Sequence, residues 1–483
     1  MSWSLQEVSK HNNSKSCWVI INKRVYDVTD FLQEHPGGSS IILKYAGRDA
    51  TSAYEPIHPS DALDKNLSPS QHLGPLDDTA VESLERAEAS KKKTQDELRV
   101  EEAMKKRPPL NLVVQDVAKQ VLSYRAWAYY SSAADDEISL QENARAFQRF
   151  FFKARVMRPV SHCDSSTKIL GFETTLPIFV CGSALAKLGH PLGEINITKG
   201  CAPPKIIQMV SSNASLSYAE IAAASTPSQT LFFQLYKHKD DAIALKRIRE
   251  IEQLGYKAIF LTVDAVVPSN RERDVRSPWV LDDQETGIKV YNEGEGAADT
   301  PDAVLGVAGA LIVNDDRDMT WEKTIPWLRS VTKLPIVIKG IQCVQDAILA
   351  AEAKVDGILL SNHGGRQLEY SLPPLEVLYR LRTQQPQIFD KMEVWRNNSS
   401  MLPGGIRRGT DVVKALCLGA KAVGLGRPFL YAQSAYGEVG VRKIISILER
   451  EIVTTMRLMG VSNIGELTPD MASSQKLISA RFC

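Results

Sequence analysis

Between residues 177 and 426 the chain repeats one pattern: a short, almost wholly apolar run, then a longer stretch with apolar residues every three or four positions. The apolar runs lie at 177–181, 206–210, 231–235, 258–263, 335–339, 357–361, 392–395 and 422–426. Short apolar runs bounded by turn residues read as buried strands, and stretches such as 242–254 and 343–354 read as the amphipathic helices that cover them. Eight such strands alternating with helices predict an α/β fold, a closed parallel (β/α)8 TIM barrel. A polar excursion rich in Gly, Asp and Glu, from about 274 to 316, interrupts the period after the fourth strand and reads as a mobile loop.

Ahead of the barrel the pattern changes twice. Residues 1–77 form a compact unit with strand-like 17–21 and 24–28. Residues 78–107 are rich in Glu, Lys, Arg and Ala, include Lys91-Lys92-Lys93 and run into Pro108-Pro109. That composition, without a large apolar stripe, predicts a solvated and partly helical linker, with the lysine triplet on a solvated face. The third zone, 108–483, holds the barrel.

Composition narrows the function classes. Of 483 residues 43% are apolar and 24% charged, the mixture of a globular protein. A formal net charge of +1 provides no field to recruit nucleic acid or an acidic membrane. No apolar run approaches the roughly 20 residues that a membrane span needs. The seven cysteines are scattered and never spaced Cys-x-x-Cys, which argues against a disulfide framework or a zinc site and for a reducing compartment. No targeting segment is visible, so the expectation is a cytoplasmic protein.

Chemistry concentrates where the strands end. Ser361-Asn362-His363-Gly364-Gly365-Arg366-Gln367 follows the sixth strand and brings a proton acceptor, bare backbone and a guanidinium fork together. Strand C-termini are where a (β/α)8 enzyme does its chemistry. Gln234 and Tyr236 follow the third strand, Thr262 and Asp264 the fourth, and Lys339 the fifth. Gly404-Gly405-Ile406-Arg407-Arg408-Gly409 and Gly424-Leu425-Gly426-Arg427 lie at the seventh and eighth. Two glycine turns there, each with an arginine, match the expected phosphate site of this fold. Oxidising a 2-hydroxy acid needs a base for the proton, a cation for the carboxylate and an acceptor for two electrons, and these residue types can serve the first two and support the third. His363 serves as base near neutral pH, and Asp264 orients it and favours its charged form. Arg366 grips the carboxylate, and Lys339 stabilises negative charge on a reduced cofactor. Tyr129 offers a hydroxyl, with a core aromatic as its alternative reading.

In the first unit His35, in Glu34-His35-Pro36-Gly37-Gly38, and His58, in Tyr54-Glu55-Pro56-Ile57-His58-Pro59, lie on tight turns. Two imidazoles from opposite sides of a cleft suit both axial positions of haem iron, which makes a one-electron carrier with no open site for oxygen. His11 and His72 read as ordinary surface or satisfied histidines. With Trp18, Val25-Tyr26-Asp27-Val28-Thr29 and Phe31, the pair resembles the cytochrome b5 family over residues 1–77. That resemblance implies a small α+β haem domain with b-type haem on His35 and His58.

From about 110 to 470 the chain resembles the FMN-dependent 2-hydroxy-acid dehydrogenase/oxidase family. The matching pieces are Tyr129-Tyr130-Ser131-Ser132, Gln234-Leu235-Tyr236, Thr262-Val263-Asp264, Ile338-Lys339-Gly340, the heptapeptide and both glycine turns. The resemblance implies His363 as proton acceptor, and Arg366, Tyr129 and Tyr236 as substrate ligands. Arg271 would be a second active-site arginine. Ser211, Gln234, Thr262, Lys339, Gly404, Gly405, Arg407, Gly426 and Arg427 would contact FMN. A cytochrome b5 domain fused ahead of this barrel is the architecture of the flavocytochrome b2 family. It implies oxidation of an L-2-hydroxy acid, most simply L-lactate, with electrons leaving singly through haem b to cytochrome c or a similar acceptor. It also implies a homotetramer, and the mitochondrial intermembrane space if a leader is removed. Two alternatives remain at this point: an oxidase that uses oxygen, or a haem electron-transfer or sensor module whose barrel lacks flavin.

Three departures from the family pattern stand out. Arg396-Asn397-Asn398-Ser399-Ser400-Met401-Leu402-Pro403 precedes Gly404, about six residues more than usual, with Pro403 in place of a flavin-binding Asp. Such polar sequence predicts a loop, not barrel interior, and weakened FMN retention. Asn213 stands where lactate-specific members carry an apolar residue, while Ala184 keeps the lactate pattern. Asp264-Ala265-Val266-Val267-Pro268-Ser269 lacks the usual early Pro and later Gly, which bears on where Arg271 sits.

Overall fold

The computed structural model describes residues 2–35, 38–90, 93–106, 114–277, 307, 309, 311–398 and 405–474. All eight predicted barrel strands form, and they close. In chain order they are Ile178–Val180, Gln208–Ser211, Leu231–Leu235, Ile259–Thr262, Ile336–Ile341, Gly357–Leu360, Glu393–Asn398 and Val423–Leu425. Each pairs in parallel with its neighbours, the eighth against the first. Their residues are apolar without alternation because both faces of a parallel strand are covered. Phe179, Phe232, Phe260, Val337, Leu359 and Trp395 point inward and fill the barrel. The opposite faces meet the helix ring in a second, larger core.

The seventh strand departs from expectation. It runs on through Arg396, Asn397 and Asn398, which pair with Val423, Gly424 and Leu425 of the eighth strand. The predicted loop therefore starts later, because backbone pairing with the eighth strand, and at Arg396 also with the sixth, carries polar residues into a strand that their side chains do not favour. Ser399 to Gly404, including Pro403, lie outside the described residues. So does most of the excursion after the fourth strand, which opens as the helix Glu272–Val275.

The amino-terminal unit is a small sheet with short helices. Strands Ser16–Ile21 and Arg24–Asp27 form a hairpin whose turn residues, Asn22 and Lys23, both take positive φ (51° and 63°). That is the twist a two-residue hairpin turn requires. Cys17, Val19, Ile21, Tyr26, Val28 and Leu32 build its core.

The linker is solvated and helical, with Ala80 the single buried residue among those described. It forms two helices, Asp78–Ser90 and Gln95–Lys106. The first packs Ala80, Val81 and Leu84 on the amino-terminal unit, and Lys23 pairs with Glu85 at 2.6 Å. The second is tied to the barrel: Arg99 donates to the carbonyls of Gln120 and Leu122, and Asp96 accepts from the Tyr124 amide.

Candidate functional site

The strand register brings the polar ends together at the barrel mouth. Ser211 lies opposite Gln234, and Thr262 opposite Lys339. All four are buried. Gln234 donates its amide to the Thr262 hydroxyl at 3.0 Å, which aims its Oε1 away. That Oε1 and the Ser132 Oγ are buried without a hydrogen-bond partner. Buried polar atoms are rarely left so unless a ligand completes them.

His363 sits where the sixth strand ends. Its backbone is left-handed (φ 55°), followed by Gly364 and Gly365 at 69° and 74°. A non-glycine residue held there costs about 1–3 kcal/mol and persists only where its surroundings enforce it. The enforcement is visible. The His363 amide donates to Asp264 Oδ2 at 3.0 Å and to Ser361 Oγ at 2.9 Å. Asn362 and Asn143 exchange reciprocal amide bonds of 2.8 and 2.9 Å. Glu369 caps the helix Ile138–Gln148 by accepting from the amides of Ile138 and Ser139. At Gly365 a side chain would meet Leu140 backbone at 2.6 Å, so glycine is required there. Asn143, Asn362 and Glu369 escape sequence reasoning because their partners are distant in the chain.

The imidazole is fixed in one tautomer. Nδ1 lies 2.9 Å from Asp264 Oδ1, and a carboxylate only accepts, so Nδ1 carries the proton. Nε2 keeps its lone pair and faces the Tyr236 hydroxyl at 3.3 Å. Asp264 is shared: Lys339 Nζ reaches its two oxygens at 3.0 and 3.3 Å. Although buried, Asp264 is held well below the usual carboxylate range by Lys339 and His363. Asp264 favours the charged imidazole, as expected, but it is outweighed. Burial, then the Lys339 charge, push His363 down to about 4 against the opposing pull of Asp264. The ring is neutral at neutral pH, the form a base requires.

The cations converge. Arg366 donates to the Tyr129 carbonyl at 2.8 Å and the Tyr130 carbonyl at 3.3 Å, with its guanidinium 5.0 Å from the Tyr129 ring. Arg271 lies beside it, its Nε 2.9 Å from the Arg366 carbonyl and its Nη2 3.1 Å from Gln367 Oε1. The altered loop after Asp264 still delivers Arg271 to this point. Burial and the Arg366 charge lower Arg271 to about 9. Arg427 is buried too, but its guanidinium binds the carbonyls of Tyr130, Ser132 and Gly364. It thus ties the Tyr129–Ser132 segment to the catalytic turn. Lys339, Arg271, Arg366 and Arg427 are all buried at the mouth, where Asp264 ion-pairs with Lys339. Buried charge of one sign needs a counter-charge, so the mouth fits anions: a substrate carboxylate, and FMN with its phosphate. Gly426 starts the helix Arg427–Leu458, and Gly405 is at φ 146°. Arg407 is exposed, with its amide on Asp411 Oδ2 at 2.9 Å. Gly404 lies outside the described residues.

The second site is the cleft between His35 and His58. Each Nδ1 faces a backbone carbonyl, Gly38 at 3.2 Å and Tyr54 at 3.0 Å. Both Nδ1 atoms therefore carry protons and both Nε2 lone pairs are free. Burial lowers both histidines, His58 to about 4, and neutral imidazole is the ligating form. The ring centres are 6.1 Å apart. With metal–imidazole bonds of about 2 Å, two rings flanking one iron sit at about that spacing, so the pair fits haem. His11 and His72 are engaged elsewhere, with Ser16 and Tyr26 respectively.

The profile of the FMN-dependent dehydrogenase family matches residues 118–474, and that of the cytochrome b5-like heme/steroid binding domain matches 4–77. The chain belongs to the FMN-dependent dehydrogenase family. This dehydrogenase is 43% identical over 477 residues to an L-lactate dehydrogenase (cytochrome) from Wickerhamomyces anomalus, across 97% of this chain and 79% of the relative. A Saccharomyces cerevisiae enzyme of the same description is also 43% identical, over 96% and 78%. A peroxisomal (S)-2-hydroxyacid oxidase from Arabidopsis thaliana is 39% identical, over 73% of this chain and 93% of its own. Among solved structures, the recombinant flavin-binding domain of baker's yeast flavocytochrome b2 matches with a TM-score of 0.70 at 41% identity. That match covers 81% of this chain and 94% of the other. Among the described residues no helix is long and apolar enough to cross a membrane.

Proposed function

We infer that this dehydrogenase oxidises an L-2-hydroxy acid, L-lactate fitting best, to the 2-oxo acid and passes the electrons singly through haem b to cytochrome c or a similar one-electron acceptor. The observation that carries the reading is the pairing of a neutral, tautomer-fixed His363 with the Arg366–Arg271 cation pair at one barrel mouth. Bound FMN supplies the two-electron acceptor. The substrate carboxylate lies between Arg366 and Arg271, neutralising two guanidiniums that otherwise repel. Tyr129 and Tyr236 flank it, and His363 Nε2 takes one of the two protons released. The resulting imidazolium is stabilised by Asp264 Oδ1. Ser211, Gln234, Thr262 and Lys339 line the flavin side of the mouth, where Gln234 Oε1 and Ser132 Oγ await partners.

The haem cleft, and the similarity to cytochrome-linked relatives across both units of this chain, support a relay over direct use of oxygen. Anaerobic L-lactate should bleach the flavin band and then shift the haem bands. Flavin reduction with haem left oxidised, or stoichiometric hydrogen peroxide in air, would overturn the relay. The barrels assemble as a homotetramer in this reading. Light scattering checks the assembly.

A further inference from the structure

The segment that carries His58 is also the segment that touches the barrel. Ile57 packs against the barrel core. Ser60 donates its hydroxyl to Glu220 at 3.0 Å. Lys65 reaches both carboxylate oxygens of Glu250, at 2.8 and 2.9 Å. The same ammonium lies 2.9 Å from Asp61 and 5.4 Å from the centre of the Tyr218 ring. On the barrel side Glu220 and Tyr218 belong to the helix Tyr218–Ala223, and Glu250 to the helix Asp241–Gln253. These are the helices that follow the second and third strands. Tyr218 leads on to the mouth: its hydroxyl donates to the Ser212 carbonyl at 2.8 Å, and the Ser212 hydroxyl accepts from the Tyr236 amide at 3.1 Å.

These contacts have the character of a pose made and broken repeatedly. The Lys65 and Glu250 side chains remain 35% and 26% exposed, so water and salt compete for the pair. A partly exposed ion pair shifts an equilibrium by about fivefold or less. The two linker helices are anchored to different units, the first to the haem unit and the second to the barrel.

We propose that Ser60 and Lys65, with Glu220 and Glu250, form an electrostatic latch that seats the haem unit on the barrel through its His58 side. The occupancy of this latched pose sets the rate at which electrons enter the haem. The proposal rests on the relay described above. It adds that docking, separately from substrate chemistry, is controlled by residues outside both sites, and that salt opens it.

The test uses the full-length holoenzyme as wild type, Lys65→Glu, Glu250→Lys and the double reversal, at low ionic strength and in high salt. Amide hydrogen exchange reports the pose without reference to activity. Each single reversal should raise exchange several-fold in residues 57–65 and 218–223, with exchange in the haem-unit strand Ser16–Ile21 unchanged as a control for folding. In anaerobic stopped flow with L-lactate, flavin reduction should stay within about twofold while haem reduction slows by about fivefold or more, since reversal turns an attraction into a repulsion of similar size. The double reversal should restore both readouts, and high salt should impose the single-variant behaviour on wild type. Unchanged exchange and haem reduction in the single variants, or a double reversal no better than its parents, would overturn the latch. Wild type whose flavin L-lactate fails to reduce would overturn the function instead, with the exchange data still deciding the latch.

Discussion

Replacing Asp264 by asparagine removes one negative charge and changes one acceptor into a donor. The carboxylate is fully buried and accepts from four directions: twice from Lys339 Nζ, once from His363 Nδ1 and once from the His363 amide. An amide oxygen satisfies part of this set, and the amide NH2 then opposes one of the remaining donors. Lys339, 3% exposed, is left as an unpaired buried cation. Breaking a buried pair from one side costs about 3–5 kcal/mol, which lowers the barrel's unfolding midpoint by on the order of 10 °C. Catalysis should suffer separately. Without an acceptor on Nδ1 the imidazole loses its fixed tautomer, a change that costs other histidine bases about 10⁴-fold in kcat. The assay is reduction of an artificial acceptor by L-lactate, alongside thermal unfolding followed by flavin release. Lys339→Met in the same background should recover stability but not rate, because it removes the stranded charge and leaves the tautomer unfixed. A variant within tenfold of wild-type rate and with an unchanged midpoint would refute the shared-carboxylate reasoning.

Other outcomes follow from the same geometry. Burial holds His363 near 4 against an ordinary value of 6.5. The unfolded chain thus takes up this proton below 6.5 and the native chain not until about 4, so its contribution to stability is complete above 6.5 and declines as pH falls from 6.5 to 4. The acid limb of kcat/KM should likewise lie well below 6.5, and a limb at 6.5 would contradict the neutral, desolvated base. Arg366→Lys loses the fork that spans the Tyr129 and Tyr130 carbonyls, and should raise KM by about 10- to 100-fold, the loss of a charge-assisted bond. A KM within twofold would move the carboxylate clamp elsewhere. The run from Arg396 to Pro403 should make FMN easier to lose than haem on prolonged dialysis; one FMN retained per chain would sink that expectation.

Much of the architecture was legible because burial writes directly into local sequence. All eight strands fall within a few residues of their apolar runs, since a strand covered on both faces must be apolar throughout. The seventh is longer than its apolar run, because strand pairing recruits Arg396, Asn397 and Asn398 whatever their side chains prefer. The haem pair and the heptapeptide were legible too, because turn residues and ligand-type side chains occur together within a few positions. The linker's solvated, partly helical character was legible as well, but the partners of its Arg99 and Asp96 were not, because they lie far along the chain.

The sequence by itself determined the two-unit plan, the barrel and the identity of the groups at its mouth, all of which are properties of local pattern. Only the tertiary structure decided how those groups pair. It set Asp264 between Lys339 and His363, turned Arg427 toward backbone carbonyls, joined Asn143 to Asn362 and brought Lys65 to Glu250. Each of these contacts links residues far apart in the chain, and which donor meets which acceptor is fixed only when the barrel closes and the haem unit docks. The protonation of His363 is decided at the same moment, because desolvation and a neighbouring charge are properties of the closed mouth and not of the residue.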